Sequence, residues 1–348
     1  MVSFSGWELP IQYKDFGLID SALHTRSAAS LFDVSHMGQI RISGANRIEF
    51  IESLVVGDIA ALRPSESRLS LFTNSEGGIV DDTIITRRDE DLLVVVNAGC
   101  FDKDIDLIQS RLSDFQGEVH VEVLPKALLA LQGPAAAEVL AALLPKISGL
   151  PFMGSMDLEI SSHPVTVTRC GYTGEDGFEI SVGRDFAVEL AKRLVGNQKV
   201  KLAGLGARDA LRIEAGLCLY GQDIDETTSP VEAGLAWTIG KRRRAQGGFP
   251  GDDVILQQLK GGVTRQRVGL LVTGPPAREG AKVNKNGDHV GTVTSGTFSP
   301  SLGRPIAIAY VQTEAATSGN ELTTLVRDKQ SPAIVTKLPF VKPNYYKP

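Results

Sequence analysis

The stretch AKVNKNGDHVGTVTSG (residues 281–296) contains the clearest fold signal in the chain. Asn286-Gly287 lies between two short runs of β character, and this dipeptide in that position is a strong signal for a tight β-hairpin. Further short β segments surround it from about residue 265 onward, namely RVGLLVT, IAIAYV, ELTTLVR and AIVTKL. We therefore predict an all-β barrel or roll for the C-terminal part of the chain.

The part of the chain before about residue 240 mixes strands and helices. GQIRIS (38–43) alternates at period two, and DLLVVVNAG (91–99) is typical of a buried strand. Helical spacing or composition predicts three helices, in FDKDIDLIQSRLSDF (101–115), GPAAAEVLAALLPKI (133–147) and ARDALRIEAGLCL (207–219). The fold class is therefore α+β, and 348 residues predict two or three domains.

Composition excludes several classes of function. The net charge of −5 creates no global basic field, so we expect no nucleic-acid partner. No run of about 20 apolar residues is present, so we expect no membrane span, and the N-terminus has neither a secretory signal nor an Arg-rich transit peptide. The three cysteines form no CxxC pair and the five histidines are scattered, so we expect free thiols and no metal site.

The segment CGYTGEDGFEI (170–180) places an aromatic hydroxyl and three carboxylates around a glycine-rich bend. A two-residue tip at Glu175-Asp176 would put Tyr172 directly across the hairpin from Glu179, with Phe178 and its alternating neighbours in the core. One interpretation is a surface hairpin with solvated acids. The other is a polar and aromatic pair that lines a cleft, where a carboxylate accepts two parallel N–H bonds from a flat amino-heterocycle.

The segment NSEGGIVDDTIITR (74–87) contains adjacent carboxylates in a strand pattern. Asp82 shares one strand face with Val80 and Ile84, and Asp81 shares the other, so one Asp lies among apolar residues whichever face is buried. Burying a carboxylate is costly without a partner. The alternatives are an edge strand with one wet face, or an Asp with an acid–base or charge-stabilising role.

Three cationic or aromatic features follow later in the chain. Arg208 and Arg212 lie one helical turn apart, either in a solvated ion-pair ladder or as a clamp for a carboxylate. From composition alone, Trp237 is interpreted as a core residue. The run 241–244 (KRRR) is either a solvated cluster or a site for a polyanionic tail or an acidic partner protein. The lone His36 is interpreted as structural.

Taken together, the segments resemble the aminomethyltransferase, or T-protein, of the glycine cleavage system. Their amino-acid sequences are more similar to those of eukaryotic mitochondrial members than to those of bacterial members. The resemblance runs collinearly along essentially the whole chain, although family members usually have a further segment before the matching FSGW. The segments that carry it are FSGWELPIQY (4–13), SLFDVSHMGQ (30–39), LSLFTNSEGGIVDDTI (69–84), NAGC (97–100), LALQGP (129–134), RCGYTGEDGFEIS (169–181), LAGLGARDALRIEAGLCLYGQDID (202–225), PVEAGLAWTIGKRRR (230–244), VGTVTSGTFSPSL (290–302) and PFVKPNYY (339–346).

This resemblance implies a tetrahydrofolate-dependent reaction without a metal. The family takes the aminomethyl group from the dihydrolipoyl arm of H-protein, releases ammonia and forms 5,10-methylenetetrahydrofolate. It implies a location in the mitochondrial matrix and H-protein and the other glycine cleavage subunits as partners, with neither nucleic acid nor membrane. It also implies a three-domain cloverleaf around a central folate channel, which we divide into 1–45 plus 125–245, 46–124, and a β-rich 255–348.

The resemblance also assigns roles to single residues. Asp82 would be the catalytic residue near folate N5, with Asp81 the weaker candidate. The folate-binding residues would be Glu179 and Tyr172 at the pterin, Met37, Leu69 and Asn97 along the pocket, Trp237 and Tyr345 around the linker, and Arg208 at the polar end of the ligand.

Two other readings remain. The folate domain of dimethylglycine or sarcosine dehydrogenases is one, but those chains carry a GxGxxG half that is absent here. The other is a non-catalytic folate-binding protein of iron–sulfur assembly, whose KGCYxGQE-like motif differs from RCGYTGED.

Overall fold

Three sheets form the framework of the computed structural model, which describes residues 1–326 and 329–348. The strands of these residues are β1 (Val2–Phe4), β2 (Trp7–Leu9), β3 (Ala29–Asp33), β4 (Gly38–Ser43), β5 (Glu66–Thr73), β6 (Ile79–Arg87), β7 (Asp91–Val96), β8 (His120–Val123), β9 (Lys126–Gln132), β10 (Ser155–Ile160), β11 (His163–Thr168), β12 (Gly177–Gly183), β13 (Val200–Leu202), β14 (Arg265–Val272), β15 (Lys282–Lys285), β16 (Asp288–Ser299), β17 (Arg304–Gln312), β18 (Glu321–Val326) and β19 (Lys329–Thr336). The α-helices are α1 (Leu18–Ser27), α2 (Arg47–Glu52), α3 (Phe101–Asp114), α4 (Ala136–Ala141), α5 (Arg184–Val195), α6 (Leu205–Glu214), α7 (Lys241–Gln246) and α8 (Asp252–Gly261).

A six-stranded sheet in the order β10-β11-β12-β9-β3-β13 has helices on both faces. Residues of β9 alternate between these faces because successive side chains of a strand point in opposite directions. Leu129 and Leu131 belong to the core that includes α4 and α5, whereas Leu128 and Ala130 belong to the one that includes α1 and α6. On β12 the odd position Glu179 therefore points away from the core that contains Phe178.

A five-stranded sheet in the order β5-β6-β7-β4-β8 packs against α2 and α3. The helix predicted over 101–115 is confirmed, and Ile108 is fully buried on its inner face. Strand β4 lies inside the predicted first domain but pairs with β7 and β8 of this sheet. The division into three domains stays a prediction, and these strand pairings favour a boundary before Gly38.

The C-terminal part of the chain forms a closed barrel in the order β14-β17-β16-β15-β18-β19, which confirms the predicted all-β fold. The predicted hairpin joins β15 to β16. Asn286 and Gly287 have φ angles of 54° and 95°, as a tight turn with two left-handed residues requires. This is why Asn-Gly was a reliable signal, since few other dipeptides adopt that conformation easily.

Three expectations about local structure differ from the structure. The helix expected over 207–219 ends at Glu214, just before Gly216 with a φ of 68°. The helix expected over 133–147 ends at Ala141, and a 3₁₀ turn follows from Pro145, whose ring cannot continue an α-helix. The expected pairing of Tyr172 with Glu179 is wrong, because β11 ends at Thr168 and it is Thr168 that lies opposite Glu179. The connection is a longer loop than a two-residue tip.

A buried ionic network joins α6 to the barrel. The Arg212 guanidinium is 1% exposed and donates to the carboxylate of Asp223 and to the hydroxyl of Ser295 on β16. It also pairs with Asp209 at 2.9 Å. The interpretation of Arg212 as part of a solvated ladder is therefore wrong, and so is a role as a ligand clamp, since its donors are already used within the fold.

Candidate functional site

A cavity of about 1150 Å³ lies where the two sheets and the barrel meet. Its wall includes Asp82 on β6 and Glu179 on β12, and the barrel contributes Val268 on β14 and Thr336 on β19. All nine residues that the resemblance singled out line this one cavity, although they are far apart in the sequence: Met37, Leu69, Asp82, Asn97, Tyr172, Glu179, Arg208, Trp237 and Tyr345.

The two adjacent carboxylates of β6 have different surroundings. Asp82 lies in the cavity wall, whereas Asp81 is fully buried. Asn97, just after β7, joins them because its side-chain Nδ2 donates to Asp81 Oδ1 and to Asp82 Oδ1, at 2.8 Å each. The Asn97 backbone N–H also donates to Asp81 Oδ2 at 3.0 Å. Asp81 therefore fixes Asn97, and Asn97 orients Asp82.

Asp82 has an unusual proton affinity for a carboxyl group. Burial, and after it the charge of the neighbouring Asp81, raise the pKa of Asp82 from 3.8 to about 7. The hydrogen bond from Asn97 and the charge of Arg208 lower this pKa but do not cancel the burial. A carboxyl with a pKa near neutrality can both accept and donate a proton at physiological pH, which is what acid–base chemistry requires.

Glu179 lies on the face of the sheet opposite the core that contains Phe178, and its side chain lines the cavity. Burial raises the pKa of Glu179, while the nearby Arg208 and a hydrogen bond from the Cys170 thiol lower it. Glu175 and Asp176 are instead held by Arg26 at 2.9 Å and by Arg169. The interpretation of this segment as a surface hairpin with solvated acids is therefore wrong.

Arg208 and Tyr172 form a stacked pair in the cavity wall. The guanidinium carbon of Arg208 lies 4.4 Å from the centre of the Tyr172 ring, within the range of a cation–π contact. The Tyr172 hydroxyl donates to the carbonyl of Cys218, which fixes the ring. Among the residues that the structure describes, Arg208 has no ion-pair partner, so its donors remain available to an anionic ligand.

Two aromatic side chains, Trp237 and Tyr345, line the cavity. Trp237 lines the cavity but is 63% exposed, so its interpretation as a core residue on composition is wrong. The Tyr345 ring stacks on Phe152 with centres 4.2 Å apart. The preceding Asn344 donates to Glu175 at 3.2 Å, which anchors the C-terminal segment against the loop that holds Tyr172.

The cluster 241–244 is largely used within the fold. Arg242 pairs with Glu52 at 2.6 Å and with Asp58 at 2.7 Å, and Arg243 is buried against backbone carbonyls. Arg244 donates to the carbonyl of Ile239 at 2.9 Å. Arg242 and Arg243 fasten α7 to the region around α2, so the interpretation of the whole run as a solvated cluster is wrong, and the donors of these two arginines are used within the fold rather than by an anionic partner.

The sequence analysis did not predict several of the residues that line the cavity. His36 lines the cavity, and burial together with Arg208 lowers the pKa of His36 to about 4, so the ring is neutral. Arg68, Arg267 and Lys337 add positive charge to the wall. Arg68 and Lys337 are isolated cations in the sequence and Arg267 lies two residues after Arg265, so only the folded chain shows that these three side chains meet at the cavity.

Comparison with known proteins identifies the family to which the chain belongs. The GCVT N-terminal domain model matches residues 1–243, and the glycine cleavage T-protein C-terminal barrel domain model matches residues 265–342. The chain belongs to the glycine cleavage T-protein family. The mitochondrial aminomethyltransferase of Homo sapiens is 55% identical over 353 residues, covering 99% of this chain and 87% of that protein. That of Pisum sativum is 48% identical, covering 100% and 87%.

A solved structure agrees with the family assignment. The glycine cleavage system aminomethyltransferase T from Bartonella henselae superposes with a TM-score of 0.94 at 40% identity, covering 99% of this chain and 95% of that one. The predicted family, the predicted aminomethyltransferase activity and the predicted mitochondrial location are therefore confirmed, and the two other readings are not favoured. The α+β fold with its C-terminal barrel is confirmed as well.

The described residues of this family member contain neither a metal-binding cluster nor a membrane-spanning helix. Within 1–326 and 329–348, no group of three or more His, Cys, Asp or Glu side chains has an arrangement that could hold a metal ion. In the same residues, no helix is both long enough and apolar enough to cross a membrane. The three cysteines are free and buried, as expected from their spacing.

Proposed function

We propose that this cavity is where the aminomethyl carbon passes from the dihydrolipoyl arm of H-protein to tetrahydrofolate, with release of ammonia. One observation carries the proposal, namely that nine residues chosen from the sequence line a single cavity of about 1150 Å³. This volume exceeds the range of about 300–1,000 Å³ for ordinary small-molecule sites, so it has room for a folate and a lipoyl arm together.

The chemistry of the wall suits the parts of tetrahydrofolate. The Glu179 carboxylate is the acceptor for the paired N–H groups of the pterin, and Tyr172 lies on the same side of the cavity. Met37, Leu69 and Asn97 border the ring system. Trp237 and Tyr345 pack around the aryl linker. Arg208, which has no ion-pair partner within 1–326 and 329–348, meets the polar or carboxylate end of the ligand.

Asp82 is the residue that we propose for proton transfer. In the reaction, the methylene carbon exchanges its bonds to sulfur and nitrogen for bonds to N5 and N10 of tetrahydrofolate. The two N–H protons leave, so that the lipoyl sulfur ends as a thiol and the nitrogen as ammonia. A carboxyl with a pKa near 7 beside N5 accepts one proton and stabilises developing positive charge. Asn97 holds this carboxyl in place.

The partners follow from the same proposal. Lipoylated H-protein delivers its arm into the cavity, and the other glycine cleavage subunits supply and regenerate that arm in the mitochondrial matrix. Three domains, arranged as a cloverleaf, would each contribute part of the cavity wall. No metal enters any step of the proposed reaction.

The test is ammonia release from aminomethylated H-protein, with and without tetrahydrofolate. We expect release to accelerate strongly with tetrahydrofolate and to be accompanied by one equivalent of 5,10-methylenetetrahydrofolate. A free-lipoamide substrate at the same concentration is the control for the role of H-protein. Release at the same rate without folate, or no release at all, would contradict the proposal.

A further inference from the structure

The carboxyl group of Asp104, in the first turn of α3, has no ordinary hydrogen-bond donor. The residue is 0% exposed, and neither of its oxygens has a partner among the described residues. A buried ionised carboxylate without a donor is strongly unfavourable, because burial removes its hydration and nothing replaces it. The group must therefore be satisfied in another way.

Asp81 provides the missing partner. The carboxyl of Asp104 lies within hydrogen-bonding range of the carboxyl of Asp81. Two ionised carboxylates in such a position repel each other, and a single shared proton converts the repulsion into an O–H···O bond. The other charged or titratable groups facing Asp104 are Asp82, which is also acidic, the Cys100 thiol, and Lys103, whose ammonium already donates to Tyr220 and Glu226.

The other hydrogen-bond donors determine which of the two carboxyls carries the shared proton. Asp81 already accepts the backbone N–H and the side-chain Nδ2 of Asn97, and the Cys100 thiol is a further donor to it. Asp81 thus has three donors and Asp104 has none among the described residues, so a proton shared by the two carboxyls resides on Asp104. Consistently, burial and the charge of Asp81 raise the pKa of Asp104 to about 10.

We propose that Asp104 is a positioning residue for the reaction: as a neutral acid it donates to Asp81, which holds Asn97, which in turn orients Asp82. The proposal rests on the proposed function for its consequence in turnover, but the protonation of Asp104 is independent of it. The chain of contacts runs from α3, beneath the five-stranded sheet, to the cavity on the other side. Asp104 itself does not line the cavity.

Asp104→Asn and Asp104→Leu separate the possible roles. The amide of Asn is neutral at every pH and still donates to Asp81, so we expect kcat and its pH profile to stay within about twofold of wild type. Leu removes the donor, so we expect kcat to fall about 10- to 100-fold at unchanged KM for tetrahydrofolate, since small misplacements are costly in catalysis. The midpoint of the kcat profile should also move to higher pH, because Asp81 then exerts its full charge on Asp82.

Infrared difference spectroscopy tests the protonation directly and needs no turnover. At pH 8 the spectrum of wild type minus Asp104→Asn should contain the carbonyl stretch of a protonated carboxylic acid. Asp102→Asn, an exposed neighbour on the same helix, is the matched control and should lack that band. Absence of the band from wild type, or an Asp104→Asn variant as impaired as Asp104→Leu, overturns the proposal. If Asp104→Leu fails to fold, Asp104→Asn and the spectrum still decide.

Discussion

Replacing Asp82 by Asn should make the protein more stable and at the same time nearly inactive. The amide has the same shape, and its oxygen still accepts the 2.8 Å hydrogen bond from Asn97. What it lacks is the negative charge that burial disfavours. Gain of stability on removing a site residue is typical where a fold keeps a group in an unfavourable environment for its function.

The size and sign of the gain follow from the pKa of Asp82. In the folded chain it is about 7, against 3.8 for the ordinary carboxyl. Between about pH 4 and pH 7 the unfolded chain releases this proton and the folded chain retains it, so wild type loses stability as the pH rises through that window. At 1.36 kcal/mol per unit, and reduced for the partial exposure of the side chain, the loss is about 2–4 kcal/mol.

Urea titrations at pH 5 and pH 8 measure this effect. We expect Asp82→Asn to exceed wild type by about 2–4 kcal/mol at pH 8 and by clearly less at pH 5. Turnover should fall by two or more orders of magnitude, roughly the loss expected for an acid–base or electrostatic group, while tetrahydrofolate still binds. Asp89→Asn, an exposed carboxyl in the turn after β6, is the control and should change neither quantity.

Two results would refute this reasoning. Equal stability of Asp82→Asn and wild type at pH 8 would mean that the carboxyl is not held in an unfavourable environment. Near-normal turnover of Asp82→Asn, together with an inactive Asp81→Asn, would transfer the chemical role to Asp81.

Three further predictions concern the cavity wall and the network beneath it. Glu179→Gln should cost about 2–5 kcal/mol of tetrahydrofolate affinity by titration calorimetry, because one acceptor becomes a donor; unchanged affinity would remove Glu179 from the binding site. Arg212→Met should cost about 3–5 kcal/mol of unfolding free energy in urea, since it leaves Asp223 buried without its partner; a variant as stable as wild type would show that this pair is dispensable. Trp237→Ala should alter stability by less than about 0.5 kcal/mol, because the ring is 63% exposed, but should raise KM for tetrahydrofolate; loss of stability without a change in KM would make it a packing residue.

Local sequence rules predicted the parts of the fold that are determined locally. Asn286-Gly287 required a tight turn, and the apolar spacing of 101–115 required a helix with one buried face. The barrel followed because a succession of short β segments without helices has few ways to bury its apolar side chains. The same rules misplaced Tyr172, because the length of a loop within a glycine-rich stretch depends on the residues that it packs against and not on its own amino-acid sequence.

The site was predictable only through resemblance to a family. From the residues alone, Asp81 and Asp82 were indistinguishable, because a strand pattern gives two faces without saying which one meets a cavity. The distinction comes from α3, which covers Asp81 and brings Asp104 beside it. The contacts of Arg242 were not predictable from the sequence for a similar reason, since its partners Glu52 and Asp58 are 190 and 184 positions away.

The shared wall of the cavity has a consequence for the lifetime of the protein in the cell. Segments as distant in sequence as Phe4 and Tyr345 face the same space, so a molecule bound there acts as a removable cross-link between distant parts of the chain. Free ligand at a hundredfold excess over its Kd adds about 2.7 kcal/mol to the free energy of unfolding. Each such increment lowers the fraction of molecules that are open to proteases. Abundance of this protein should then follow the supply of its own ligand, falling under scarcity without any change in synthesis.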